Sequence, residues 1–269
     1  MELYKQVLKQ TVTYKLFKSI YANIVDFAET LGNITMCGVN TIKAVLKGEF
    51  SFKELLEQCE RFGISSLPIT LSIVGMTTII IVSQIAQEMV KQGGGNMVGA
   101  LVSILMVREL GVIMSGFAII SMIGSSLASE IATMRVTEQI DALRTLKVNP
   151  FGYLFAPRVM SGMIMMPFVV IISSFLGVLM GALTSNLVAG LSYRSFYDSL
   201  WLGIYIKDMF VCLAKAFCFG GAIALISCSF GFYAKGGAKG VGLATTGAVV
   251  WSFVVIVIID MIFAIGFFF

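Results

Sequence analysis

Five stretches of this sequence are each apolar over about 20 residues or more: 67–90, 100–127, 159–183, 208–232 and 249–268. About 20 apolar residues in a helix cross the roughly 30 Å hydrocarbon core of a bilayer. Within that core every backbone N–H and C=O must be satisfied internally, which restricts spanning segments to helices and closed barrels. A soluble alternative fails on composition. The chain is 58% hydrophobic and only 13% charged, whereas soluble domains are about half apolar and a quarter charged. The expected fold is an all-α integral membrane protein with about five transmembrane helices.

The connections carry the remaining information. Residues 1–64 form an N-terminal region and 65–269 the transmembrane domain. In the first, Lys5, Lys9, Lys15 and Lys18 alternate with Leu3, Val7, Leu8, Leu16, Phe17 and Ile20. This mix predicts a basic amphipathic helix on a membrane surface, with an ordinary helix packed on its own protein as the alternative. A second such segment covers Phe52–Phe62. No apolar core with a small-residue cleavage site marks the start as a secretory signal. The first span opens beside Pro68, and KQGGGNMVG after it reads as a tight turn. Residues 129–153, ending at Asn149-Pro150, are rich in charge and helix formers and predict one or two short helices outside the hydrocarbon. Residues 184–207 are mixed and polar, and 233–247 are glycine-rich and basic.

Basic residues set the orientation. With the N-terminus in the cytoplasm, fourteen Lys and Arg outside the spans fall on the cytoplasmic side and three (Lys91, Arg194 and Lys207) on the other. The 129–153 segment is then cytoplasmic. The basic residues form no stripe suited to nucleic acid.

Four charges interrupt the apolar runs: Arg108 and Glu109 in the second span, Lys215 in the fourth and Asp260 in the fifth. A charge at the bilayer centre costs at least about 2.5–3.5 kcal/mol, so it pairs or faces a polar cavity. One reading makes Glu109–Lys215 and Arg108–Asp260 buried pairs that fix helix register. The other makes the four line a cavity for a polar or charged lipid head, where the planar fork of Arg108 suits phosphate. Small residues, including Gly111, Ser115, Gly116, Gly124, Ser125, Ser126 and the Gly177/Gly181 pair, allow close helix approach.

Catalytic and metal motifs are missing. There is no histidine, no CxxC among the five cysteines, no GxSxG and no HExxH. Zinc and disulfides are not expected, and the cysteines read as buried, inert thiols. No GxxxxGK[ST] phosphate loop is present, so the chain is not expected to hydrolyse ATP alone. Within 129–153, Glu138, Asp141 and Arg144 are spaced by three and could share a helix face, either as a solvated face or as a docking surface for a cytoplasmic partner.

From residue 108 to 162 the sequence resembles the MlaE/YrbE family, the permease subunits of ABC transporters that work with MCE proteins on lipids. The matching pieces are Arg108-Glu109-Leu110-Gly111, Ala128-Ser129-Glu130-Ile131, Met134-Arg135, Thr137-Glu138-Gln139, Asp141-Ala142-Leu143, Asn149-Pro150 and Ala156-Pro157-Arg158. A weaker likeness runs from about residue 60 to the end. The resemblance implies a homodimer of five-span subunits in a bacterial inner membrane, each with an interfacial N-terminal helix. It implies a separate cytoplasmic ATPase, which holds the ATP and Mg, gripped through Glu130, Arg135, Glu138, Gln139, Asp141 and Arg144. It further implies an outer MCE-domain protein and a phospholipid cavity near Arg108, Glu109, Lys215 and Asp260, with no catalytic residue, metal or cofactor in this chain. Val112 and Met122 depart from the family pattern, where a proline and an arginine are usual. Rival readings are a secondary transporter using the intramembrane carboxylates as proton sites, a lipid-modifying enzyme and a structural scaffold.

Overall fold

The computed structural model describes the backbone of residues 12–268 and the side chains of Tyr21 and residues 25–267. These residues form helices and no strand. In chain order they are α1 (Val12–Leu46), α2 (Phe52–Lys91), α3 (Gly95–Val136), α4 (Gln139–Thr145), α5 (Phe151–Ala189), α6 (Tyr193–Gly203), α7 (Ile206–Phe232) and α8 (Gly237–Phe268). Five of them, α2, α3, α5, α7 and α8, are long and apolar enough to cross a membrane. The protein is an all-α integral membrane protein, as its apolar runs predict.

Helices α2, α5, α7 and α8 stand in a row, each packed on the next, and α3 packs against α7 and α8 and touches α2 and α5. Helix α4 caps one end of the bundle and α6 lies at the other. The α3 helix of 42 residues is about 63 Å long at 1.5 Å per residue, roughly twice the hydrocarbon thickness. The spanning helices therefore project beyond the lipid. This is why residues 52–62, expected as a separate amphipathic segment, are the first turns of α2. A π turn at Arg61–Ser65 lies immediately before Pro68. Its wider winding carries the helix past a residue that cannot donate to the preceding turn.

At α4 two non-glycine residues take left-handed backbone, Glu138 and Lys147, each at φ 60°. Glu138 therefore stands before the helix, and only Asp141 and Arg144 of the expected triplet lie within it. The Val148 N–H returns to the Leu143 carbonyl at 3.0 Å, closing the helix end. The glycine turn between α2 and α3 is as tight as expected, with Gly93 at φ 78°.

Lys5, Lys9, Leu3, Val7 and Leu8 of the expected interfacial helix lie outside the described residues. The backbone of 12–20 is the start of α1, and the side chains of Lys15, Leu16, Phe17, Lys18 and Ile20 also lie outside the description. Further along α1, Cys37, Thr41 and Ala44 are buried on one helical stripe, with Cys37 packed among Ile131, Leu154, Phe155 and Cys228. Burial pushes the Cys37 thiol above its ordinary pKa, which keeps it protonated and unreactive. The five cysteines form no disulfide.

Helix contacts depend on glycine. A Cβ on Gly177 would stand 2.7 Å from Met106 Sδ, and one on Gly181 would stand 2.8 Å from Val102 Cγ1, so the GxxxG motif seats α5 against α3. A tighter approach between helices, however, joins Gly162 of α5 to Gly220 of α7. A Cβ on Gly220 would overlap the Gly162 carbonyl oxygen. Gly220→Ala is expected to lower thermal stability in detergent by about 1–3 kcal/mol through overpacking. Gly266→Ala, where a Cβ meets nothing within 4 Å, should leave the melting temperature unchanged; equal melting of the two variants would contradict this contact.

Candidate functional site

A second π turn, Met106–Leu110, carries both Arg108 and Glu109. Such turns insert an extra residue into the helix ladder and are frequent at functional sites. Here the Arg108 carbonyl accepts a hydrogen bond from Lys215 Nζ at 2.8 Å. Gly111 ends the turn because a Cβ there would overlap Ser174 Oγ of α5 and the Met106 carbonyl.

Lys215 has no solvent-accessible side-chain surface. Its ammonium lies 2.7 Å from Asp260 Oδ1 and 3.3 Å from Glu109 Oε2. Three helices, α3, α7 and α8, thus meet at one charge. Lys215 is nine residues into α7, about 14 Å from its start, which puts the cluster at membrane depth. Glu109 forms the expected pair with Lys215, but Arg108 does not join Asp260 as expected. Arg108 Nη2 instead meets Asp208 Oδ2 at 2.9 Å, because the first turn of α7 lies beside it while Asp260 is engaged by Lys215. Asp208 is buried, and it also accepts from the Tyr205 N–H at 3.4 Å. In the sequence Asp208 reads only as the start of a span. Its distance from Lys215, seven residues and so two helical turns on one face, was the available signal.

Burial falls off across the cluster. Lys215 and Asp208 are enclosed, whereas the Arg108 and Glu109 side chains are 27% and 34% exposed. The cluster opens on the α3 side. Beneath it the buried hydroxyls of Ser115 and Ser173 hydrogen-bond each other at 2.7 Å across α3 and α5.

Nearer α4 is a second ionic group. Glu130, expected at the coupling surface, lies between helices: its Oε1 meets Arg158 Nη2 at 2.6 Å and its Oε2 meets Arg61 Nη1 at 2.8 Å. Arg158, 2% exposed, also donates to the Leu154 carbonyl at 2.8 Å. One carboxylate therefore ties α2, α3 and α5 together. Glu130→Ala strands a buried guanidinium and should cost about 3–5 kcal/mol, whereas Arg158→Met removes that charge and should cost less. Thermal unfolding of the purified variants checks the order, and a less stable Arg158→Met would contradict it.

The remaining residues expected at the coupling surface gather at α4. Both carboxylate oxygens of Asp141 accept from Arg135 Nη1 at 2.9 Å, and Arg144 Nη1 lies 3.2 Å from the same carboxylate. The Arg144 guanidinium also stands over the Phe232 ring, 5.5 Å from its centroid, which links α4 to the end of α7. Ile140 anchors α4 by full burial, and Leu146 is 73% exposed. Glu138 and Gln139 are exposed beside them. Among the described residues no group of histidine, cysteine or carboxylate side chains is arranged to hold a metal.

A bundle of apolar spans around an internal charge cluster, with a charged helix at one end, is an architecture that suits a membrane permease. Comparison with known proteins agrees: the sequence model described as Permease MlaE matches residues 55–265, and the chain belongs to that family. A probable ABC transporter permease protein of Synechocystis sp. is 37% identical over 214 residues, covering 80% of this chain and 81% of that one. One from Porphyra purpurea is 36% identical over 249 residues, covering 93% and 87%. The chloroplastic protein trigalactosyldiacylglycerol 1 of Arabidopsis thaliana is 36% identical over 227 residues, covering 83% of this chain and 64% of that one. The chain is accordingly the non-catalytic, membrane-spanning component of an ABC transporter, and an ATPase partner follows from that class.

Proposed function

We propose that this permease moves phospholipid, or a related lipid, between a bacterial inner membrane and an outer-side MCE lipid-binding protein, driven by ATP and Mg held in the partner ATPase. The observation that carries the reading is the partial exposure of Arg108 and Glu109 at membrane depth. Arg108 is paired with Asp208 and Glu109 with Lys215, and the parts of both side chains that stay exposed suit a polar head group better than hydrocarbon tails, with Arg108 toward phosphate and Glu109 toward a cationic head. In the proposed homodimer, a second copy of the chain set against the open α3 face would complete a closed cavity. The relative from Arabidopsis, named for a diacylglycerol lipid, supports the lipid class. The excess of Lys and Arg on the α4 side supports a cytoplasmic N-terminus. It puts the ATPase contact, through Arg135, Glu138, Gln139, Asp141 and Arg144, in the cytoplasm and the MCE protein on the α6 side.

A photoreactive benzoylphenylalanine at Leu105 tests the cavity, because Leu105 lies one turn from Glu109 on the same helix face. Mass spectrometry of the irradiated, purified protein should find phospholipid attached there. Attachment equal to that at Met76, which is 66% exposed on the outer surface of α2, would mean bulk bilayer contact and contradict the cavity.

A further inference from the structure

Helix α6 has three distinct sectors. At about 100° per residue, Phe196, Ser199 and Gly203 share one sector, and all are buried. Tyr193, Tyr197 and Trp201 form a second, at 51%, 58% and 63% exposure, and Tyr205, 62% exposed, extends their four-residue spacing beyond the helix. Arg194, Asp198 and Leu202 occupy the third, which borders the second, and are exposed, Leu202 at 66%. The rings of Tyr197 and Trp201 touch edge to face at 6.1 Å.

The level of this stripe can be read from its neighbours. Ser195 Oγ pairs with Asn96 Oδ1 at 3.3 Å, and Ser103 Oγ donates to the Leu200 carbonyl at 3.2 Å. A Cβ on Gly99 would overlap the Phe196 carbonyl. Helix α6 therefore runs alongside the first turns of α3, descending toward the spans. Val102 of α3 and Val82 of α2 both face Gly181 and so share a level. At that level the outer surface of α2 changes character, from exposed Ile79 and Ile80 to exposed Gln84, Gln87 and Glu88. Trp201, next to Leu200, sits at this apolar-to-polar boundary, with Tyr197 and Tyr193 successively toward water. Past it the chain continues into Ile206 and Phe210, 79% and 70% exposed, on the lipid-facing surface of α7.

We infer that the Tyr193–Tyr197–Trp201 stripe is a membrane-interface seat, immersed in the head-group zone of the leaflet on the α6 side. Tyrosine and tryptophan favour that zone because each joins an apolar ring to a polar tip. The packed sector meets protein and the aromatic sector the interface, while the third runs from Arg194 and Asp198 on the water side to Leu202 on the lipid side. The seat is also tied to the charge cluster, since the Tyr205 backbone N–H bonds Asp208, which holds Arg108. Its identity as an outer-leaflet seat rests on the orientation proposed above; the seat itself does not.

The test uses the full chain with Trp251→Phe, which leaves Trp201 as the single tryptophan, in phosphatidylcholine nanodiscs brominated at the 6,7 or the 11,12 acyl positions. Trp251 stacks on Phe27, so phenylalanine keeps a ring there. Subtracting the Trp201→Phe spectrum from that of the unmodified chain gives the same signal without that substitution. Shallow bromines should at least halve Trp201 emission, deep bromines should quench it less, and aqueous iodide should quench it weakly. Strong iodide quenching without bromine quenching would overturn the seat and make the stripe a protein-docking surface. Stronger quenching by the deep bromines would overturn it by placing the ring in hydrocarbon.

Discussion

Lys215→Ala is expected to abolish lipid transport and to destabilise the purified chain by about 3–5 kcal/mol. The Lys215 ammonium is enclosed, and it is the cation shared by Asp260 and Glu109. Removing it leaves two carboxylates facing each other without their shared cation. It also removes the donor to the Arg108 carbonyl in the π turn, so the segment presenting Arg108 and Glu109 is left held to α7 by the Arg108–Asp208 pair. Thermal unfolding in detergent reads the first effect. A neutral triple variant, Lys215→Met with Asp260→Asn and Glu109→Gln, separates stability from function. It should recover most of the stability and none of the transport. Full transport by the triple variant would make the cluster a register device alone.

Arg144→Glu should leave membrane insertion and folding intact while ATP hydrolysis in the assembled complex no longer drives lipid movement. The expected loss is roughly tenfold or more, corresponding to about 1.4 kcal/mol of coupling. Arg144, braced by Asp141 within α4, joins α4 to the last turn of α7 through the Phe232 ring, and α7 carries Asp208 and Lys215 in its other half. The reversed charge sets two carboxylates side by side and removes the contact between cation and ring. A parallel loss is expected for Glu138→Lys, on the exposed left-handed turn before α4. Normal ATP-driven transport by both variants, measured in the assembled complex, would show that α4 does not transmit the motor's work.

The five crossings were readable because about 20 apolar residues have few other fates at this density. Their ends were not readable. The helices outrun the hydrocarbon, and their projecting turns carry the charge pattern of a surface helix. Residues 52–62 were therefore read as a separate segment, and Pro68 as a helix start rather than a residue passed by a π turn. The internal charges stood out against their apolar surroundings, but their partners depended on helix levels that sequence spacing alone does not relate. Asp208, near a span end, resembled an ordinary boundary residue. Glu130 had the charge of a surface residue and sits between three helices, because Arg158, buried in α5, requires it. The Gly177/Gly181 motif was visible because both members lie on one helix. The closer Gly162/Gly220 contact joins two lone glycines on different helices, which no local pattern marks.

The most direct measurement of the central claim is ATP-dependent transfer of phospholipid by proteoliposomes containing this chain with its ATPase partner and an outer lipid-binding acceptor. The account predicts transfer with ATP and Mg, none with ADP, and none in the Lys215→Ala complex. Transfer driven by a proton gradient in liposomes holding the chain alone, with no gain on adding ATPase and ATP, would contradict it.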